Sequence, residues 1–186
     1  MDHTYPQFMP PAQSRAEHAR ASGMAAYLDS ASYPQVKGDR DPETVALLKE
    51  DYAGAHGELT GIAQYVFQHG RTADNETLAN ALLQIAIVEM THLDMLGEAI
   101  VTLGGSPSFE SGQQFWNAKS VQYATDLTEM LRADIQSENT AIAGYERHIA
   151  QTRNATVKAL LARIIQDEKL HLRFFTEALS APHARE

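Results

Sequence analysis

The chain of 186 residues contains no cysteine. This absence excludes disulfide bonds, thiol chemistry, zinc–thiolate sites, and iron–sulfur or rubredoxin-type centres ligated by cysteine. Basic residues are also few, with 15 Lys and Arg against 24 Asp and Glu. The resulting net charge of −9 argues against nucleic acid as a partner, because no basic surface is available to neutralise phosphates.

Long apolar runs are missing as well. No stretch approaches the ~20 apolar residues that span a bilayer, and the first thirty residues lack the apolar segment of a signal peptide. We therefore expect a cytoplasmic protein with no membrane contact. The hydrophobic content of 44% is ordinary for a globular protein, and the length suits one domain with a substantial core.

Residues 82–96 place a carboxylate and an imidazole, Glu89 and His92, inside an apolar helical stripe. The stripe advances in steps of three and four residues, the spacing of side chains on one side of a helix. Burying these two polar groups alone is costly, but a metal ion supplies the opposite charge and uses both as ligands. The stripe consists of Leu78, Leu82, Ile85, Glu89, His92, Leu96, Ala99 and Leu103.

The same pattern occurs a second time, with Glu168 and His171 in the equivalent places of a later stripe. At almost the same offset, the eight residues that begin at Glu58 match the eight that begin at Glu138 in five positions. The chain is therefore an internal duplication. Each half carries one glutamate, about thirty further residues, and then a Glu-x-x-His pair.

Helix-start and helix-stop signals predict an all-α fold with four long helices. The first is expected over residues 41 to about 69, the second from 75 to 103, the third over 125–153 and the fourth over 154–180. Short links make the first pair and the second pair antiparallel hairpins, and residues 104–124 are long enough for a crossover between them. Residues 1–40 are a leader with a short helix around 13–28 and no assigned chemistry, and residues 181–186 form a tail.

The four glutamates fall near the middle of their predicted helices, where antiparallel helices of similar length meet at one level. Two divalent ions, iron or manganese, would balance four carboxylates. Glu89 and Glu168 are expected to bridge both ions, with one further glutamate and one histidine on each ion. The predicted metal ligands and catalytic residues are Glu58, Glu89, His92, Glu138, Glu168 and His171.

Other polar residues receive plainer interpretations. Asn75 and Asn154 are predicted to cap helices. Tyr65 and Tyr145 either donate hydrogen bonds to the ligand carboxylates or only pack in the core, and Phe115-Trp116 anchors the crossover. The residues predicted to lie at the surface are His3, His18, His56, His69, His148, His183, Arg147, Lys158 and Arg163.

Over residues 41–180 the chain resembles the ferritin-like superfamily of four-helix bundles. Within it, the chain is most similar to the manganese-catalase-like branch of the rubrerythrins. The resemblance implies a dinuclear iron or manganese site that acts on hydrogen peroxide or dioxygen, and it implies that Asp167 orients a histidine ligand across the bundle. The residues that carry it are Asp51-Tyr52-Ala53-Gly54, Glu58-Leu59-Thr60, Val88 to Leu93, Leu103 to Pro107, and Asp167 to His171.

Two departures bear on the activity. Peroxidase-type rubrerythrins have an extra glutamate where this chain has Ala141, and without cysteine there is no built-in rubredoxin relay. Peroxidase activity would require an external electron donor, so disproportionation of peroxide fits better. The alternatives are a ferroxidase or iron-storage protein and a non-catalytic metal-binding bundle. A homodimer or small homo-oligomer is expected.

Overall fold

The computed structural model describes residues 26–181 as a helical bundle. A short antiparallel ribbon of β1 (Glu110–Ser111) and β2 (Gln114–Phe115) and one 3₁₀ turn (Ala118–Ser120) lie in the segment between the third and fourth helices. The all-α bundle with a long crossover is confirmed. Its helices are α1 (Pro42–Ala53), α2 (Glu58–Arg71), α3 (Glu76–Thr102), α4 (Leu127–Gln151) and α5 (Ala155–Ser180).

Side-chain caps fix where most of these helices begin. The Asn75 carboxamide oxygen accepts the backbone N–H of Leu78, and the Asn154 oxygen accepts that of Val157. Each cap satisfies a backbone donor that has no partner within the helix. The capping roles predicted for both asparagines are confirmed, and Asp41 and Asp126 cap α1 and α4 in the same way.

The predicted first helix is wrong in one respect, because it is broken into α1 and α2 at residues 54–57. A Cβ atom on Gly54 would lie 2.4 Å from the carbonyl oxygen of Glu50, and one on Gly57 would lie 2.4 Å from that of Asp51. The two glycines thus permit a tight break that other residues cannot enter. As a result Glu58 is the first residue of α2 rather than a mid-helix residue.

The links 72–75 and 152–154 join α2 to α3 and α4 to α5, and the members of each pair pack along one another. The crossover is held against the first hairpin by polar contacts. Trp116 Nε1 donates to Thr60 Oγ1 at 2.9 Å, and the backbone N–H of Gln122 donates to Gln64 Oε1 at 3.1 Å. The Trp116 anchor is confirmed, whereas the Phe115 side chain is 74% exposed.

Two hydrophobic clusters fill the bundle, one above and one below its middle. On α4 and α5, the facing ends of the two clusters are separated by a stretch that contains a glutamate, whereas on α3 Glu89 lies between two members of one cluster, Val88 and Met95. The core is therefore interrupted at a single level by acidic side chains. The flanking pairs are Leu131 and Tyr145 on α4, and Ile165 and Phe175 on α5.

Several surface predictions meet the structure differently. His56 is exposed as predicted. The surface positions predicted for His148 and Arg163 are wrong, since these residues are only 1% and 6% exposed. Both are buried against acidic partners, His148 against Asp51 on another helix and Arg163 against Asp167 on the same helix. The predicted leader helix lies mostly outside the described residues. Within residues 26–181, no helix has the length and apolar character to cross a membrane.

The pair of Asp51 and His148 joins α1 to α4, with 2.8 Å between His148 Nδ1 and each carboxylate oxygen. Burial raises the pKa of Asp51 to about 6. Burial opposes the charge on His148, but the Asp51 carboxylate and then Glu50 outweigh it and raise the pKa of His148, while Arg147 acts against them. Over the pH range between the unfolded and folded pKa values, both groups therefore hold protons in the folded protein that the unfolded chain has released. Their contribution to the free energy of unfolding falls as pH rises through this range.

We expect the variant His148→Gln to lose about 3 kcal/mol of unfolding free energy at pH 6, the usual effect of breaking a buried pair. The loss shrinks as pH rises through the raised pKa of His148, because the wild-type imidazole then becomes neutral. Urea denaturation at pH 6 and pH 9 measures it. A double-mutant cycle with Asp51→Asn isolates the coupling, and a coupling energy independent of pH contradicts the expectation.

Candidate metal centre

Six polar side chains from four helices meet at the level where the hydrophobic core is interrupted. Each residue is at most 5% exposed. The break before α2 presents its first residue, and the other helices present theirs from their interiors. The structure thus brings together all six residues singled out from the sequence. They are Glu58 on α2, Glu89 and His92 on α3, Glu138 on α4, and Glu168 and His171 on α5.

The six side chains form two overlapping sets of four potential ligands. One set is Glu58, Glu89, His92 and Glu168, and the other is Glu89, Glu138, Glu168 and His171. Within each set, the four ligand atoms lie within 4.8 Å of one another. Glu89 and Glu168 belong to both sets, which is the arrangement required of bridging carboxylates.

The two shared glutamates direct one oxygen to each histidine. Glu89 Oε2 lies 3.2 Å from His92 Nδ1, and its Oε1 lies 3.1 Å from His171 Nδ1. Glu168 does the same, with Oε1 at 3.2 Å from His92 Nδ1 and Oε2 at 3.1 Å from His171 Nδ1. Each carboxylate can therefore contribute one oxygen to each of two ions.

The outer nitrogens of both imidazoles have partners that fix the tautomer. His171 Nε2 lies 3.0 Å from the carbonyl oxygen of Tyr27, which only accepts, so Nε2 carries the hydrogen. His92 Nε2 lies 3.0 Å from Asp167 Oδ2, and this is the contact implied by the resemblance for Asp167. In the neutral form of both rings the lone pair is then on Nδ1, which faces the carboxylates and is available to a metal.

Two tyrosine hydroxyls hold the outer glutamates in a crossed pattern. Tyr65 on α2 donates to Glu138 Oε1 on α4, and Tyr145 on α4 donates to Glu58 Oε1 on α2. Burial, followed by the charge of Glu138, raises the pKa of Tyr65 well above its ordinary range, so this hydroxyl stays a donor. Of the two interpretations left open for these tyrosines, the hydrogen-bonded one is correct.

The buried carboxylates strongly perturb one another. Burial and then the neighbouring Glu89 charge raise the pKa of Glu58 well above its usual value, and burial and then Glu168 do the same for Glu138. Burial opposes the charge on both histidines, but Tyr33 and then Glu58 raise the pKa of His92, and Glu168 and then Glu89 raise the pKa of His171. Without cations the cluster must hold protons to remain in the core.

Two buried oxygens test whether the site suits metal ions. Glu58 Oε2 and Glu168 Oε1 accept no hydrogen bond from the described residues, although both are buried. His92 Nδ1 lies 3.2 Å from Glu168 Oε1, but in the neutral ring it carries the lone pair and cannot donate. An unpartnered buried carboxylate oxygen is costly, and a cation at the centre of the set relieves the cost. The oxygen-rich donor set with two imidazoles suits Fe²⁺ or Mn²⁺, so the residues fit a dinuclear centre.

A cavity of about 140 Å³ reaches the centre from the side of α2 and α4. Its outer lining includes the exposed residues His56 and Gln136, while its inner lining includes all four glutamates. Ala133 and Ala141 contribute small side chains on α4. The opening has the scale of a few water-sized molecules, which suits a small oxidant rather than an organic substrate.

The sequence interpretation missed the groups that support the histidines from outside. Arg163 Nη1 lies 2.8 Å from Asp167 Oδ1, and Tyr33 Oη donates to Asp167 Oδ2 at 2.5 Å. The spacing of Arg163 and Asp167, four residues apart on α5, was a signal for this pair. Tyr33 gave no signal, because its partner lies 134 residues away in the chain.

Comparison with known proteins supports this centre. The chain is 28% identical over 169 residues to a probable manganese catalase of Clostridium acetobutylicum, covering 78% of this chain and 75% of the relative. In three dimensions it is similar to KatB, a manganese catalase from Anabaena PCC7120, with a TM-score of 0.75 and 26% identity over 85% of this chain and 82% of that one.

It is also similar to the bacterioferritin of Desulfovibrio desulfuricans, a protein with a diiron site. There the TM-score is 0.65 and the identity 25%, over 75% of this chain and 79% of the other. These likenesses confirm the ferritin-like fold and support a dinuclear manganese or iron site. The family model of the rubrerythrins matches residues 53–179, which include α2, α3, α4 and nearly all of α5, and the chain therefore belongs to the rubrerythrin family.

Proposed function

We propose that the six clustered residues hold two manganese or iron ions and that the protein disproportionates hydrogen peroxide. The observation that carries the proposal is the pair of four-residue ligand sets that share Glu89 and Glu168. Glu58 and His92 belong to one ion position, and Glu138 and His171 to the other. The six residues are proposed as both the metal ligands and the catalytic centre.

Two bound ions would supply a store for two electrons, so that one peroxide could give up two electrons and two protons to become dioxygen and a second peroxide could take them up to become two waters. The protein orients the ligand side chains and encloses the site. The tyrosine hydroxyls hold Glu58 and Glu138 in place, and the Nε2 hydrogen bonds hold both imidazoles with Nδ1 inward. The cavity admits a molecule of peroxide size to the inner carboxylates.

Disproportionation is preferred over peroxidase chemistry because it needs no electron donor. The two electrons and two protons that one peroxide loses are the ones that the second peroxide takes up. The cysteine-free chain offers no thiol or thiolate-bound iron as a relay, and Ala141 lines the cavity where an additional carboxylate would alter metal ligation. A homodimer or small homo-oligomer is proposed for the assembly, and sedimentation velocity tests it.

The direct test is a peroxide assay with no reductant. We expect protein loaded with Mn²⁺ or Fe²⁺ to bind two ions per chain and to release one dioxygen for every two peroxides consumed, because the two half-reactions share the same electrons. An oxygen electrode and elemental analysis measure both quantities. Peroxide consumption that requires an added reductant would indicate a peroxidase, and two-ion binding with oxidation of Fe²⁺ only would indicate a ferroxidase.

A bridging role makes Glu89 essential to both ion positions. We expect Glu89→Gln to reduce the metal content from two ions to one or fewer per chain, because the neutral amide loses the charge and the second strong ligand oxygen. Elemental analysis after gel filtration measures the content. Glu98→Gln, an exposed position on the same helix, is the matched control and should retain both ions. A Glu89→Gln protein with full metal content contradicts bridging.

The cavity predicts a variant that slows entry without disturbing the centre. We expect Ala133→Leu, which adds bulk to the cavity lining, to lower kcat/KM for peroxide roughly tenfold, equivalent to about 1.4 kcal/mol, while leaving the metal content unchanged. Steady-state oxygen release measures the change. Ala143→Leu, at an exposed position of the same helix, is the control. Equal activity of the two variants would show that peroxide enters elsewhere.

A further inference from the structure

Residues 27–33, here termed the strap, form a segment of turns and bends that precedes the part of the chain matched by the rubrerythrin family. The strap packs along α5, where it contacts the buried residues Arg163, Asp167 and His171. Leu28 and Tyr33 are 4% and 6% exposed and belong to the hydrophobic core. Tyr27 packs edge-on against Phe174 at 5.3 Å between ring centroids. The segment is thus seated on the bundle by apolar burial.

Arg163 fastens the strap through its main chain. Its Nε donates to the Ala31 carbonyl at 2.8 Å, and its Nη2 donates to the Asp29 carbonyl, also at 2.8 Å. The guanidinium lies 4.1 Å from the centre of the Tyr33 ring. One buried cation on α5 therefore determines the position of both the backbone and the aromatic side chain of the strap.

The docked strap reaches both histidines of the proposed metal centre. The Tyr27 carbonyl accepts the Nε2 hydrogen of His171 directly. On the other side, the Asp29 backbone N–H at 2.6 Å and the Tyr33 hydroxyl at 2.5 Å both donate to Asp167, which is the partner of His92 Nε2. Two histidines from different helices are thus oriented by one short segment.

We propose that the strap is a positioning element of the metal centre, which sets the orientation of both histidine ligands through the Tyr27 carbonyl and the Tyr33–Asp167 contact. This inference rests on the proposed dinuclear function. It also makes the two ion positions unequal. His92 has a carboxylate behind it and His171 a neutral carbonyl, so the imidazole of His92 is the more strongly basic ligand.

The variant Tyr33→Phe removes only the hydroxyl that donates to Asp167. We expect it to weaken Mn²⁺ binding about tenfold at one of the two ion positions, the usual size of an effect from a group that holds a ligand. Equilibrium competition with a chromophoric chelator measures both affinities. The visible absorption of bound Co²⁺ should change as well, because it reports the ligand geometry that a merely structural role would leave alone.

Tyr123→Phe is the matched control, because it removes one hydroxyl from an exposed tyrosine outside the strap, whose ring packs on Phe67. We expect its Mn²⁺ affinities and Co²⁺ spectrum to equal those of the wild type. Unchanged affinities in Tyr33→Phe, or equal losses in both variants, would overturn the positioning role. A wild-type protein that binds no metal would instead refute the proposed function.

Hydrogen exchange on the wild-type protein provides a second measurement that needs no variant. Linkage requires that if the docked strap favours metal binding, metal binding favours the docked strap. We expect Mn²⁺ to slow exchange of the Asp29 amide, which donates to Asp167, at least severalfold more than the amides of residues 110–115 in the crossover ribbon. Equal slowing of both segments, or no slowing of Asp29, would overturn the inference.

Discussion

The rest of the structure depends on four carboxylates that are enclosed in the middle of the bundle. Glu58, Glu89, Glu138 and Glu168 are each at most 5% exposed, and their charges repel at short range. Such a group of acids remains in a core only when protons or cations accompany it. The two ligand sets that share Glu89 and Glu168 provide positions for two cations, which together carry as much positive charge as the glutamates carry negative charge.

Several features of the fold follow from this requirement. The glycine-dependent break before α2 places Glu58 at a helix N-terminus, where the helix dipole favours a carboxylate. The crossed hydrogen bonds from Tyr65 and Tyr145 link the two hairpins at the level of the site. Hydrophobic clusters on both sides keep solvent from the centre, apart from the cavity beside α2 and α4. The same features that hold the bundle together therefore also position and enclose the site.

The support of the histidines shows how a duplicated protein becomes asymmetric. The two Glu-x-x-His pairs are alike, and both imidazoles present Nδ1 to the same carboxylates. Their outer nitrogens differ, because Asp167 on α5 has Val88 as its counterpart on α3. The strap supplies a main-chain carbonyl on the side that lacks the acid. Two equivalent ligand halves thereby obtain unequal environments, which matters for ions that exchange electrons with a substrate.

The duplication and its helical spacing were sufficient to predict the four-helix architecture, the caps Asn75 and Asn154, and the six residues that converge, since all of these follow from local periodicity and helix length. The break at residues 54–57 was not predictable, because it depends on how closely backbone carbonyls approach two glycines. His148, Arg163 and Tyr33 were misjudged or overlooked for a related reason. The acidic partners of His148 and Tyr33 lie on other segments of the chain, and the pair of Arg163 and Asp167 matters for the site only because it is buried. A single sequence does not show which distant side chains will come into contact. Periodicity along the chain determined which face of each helix turns inward, and tertiary packing alone decided which groups support that face from outside.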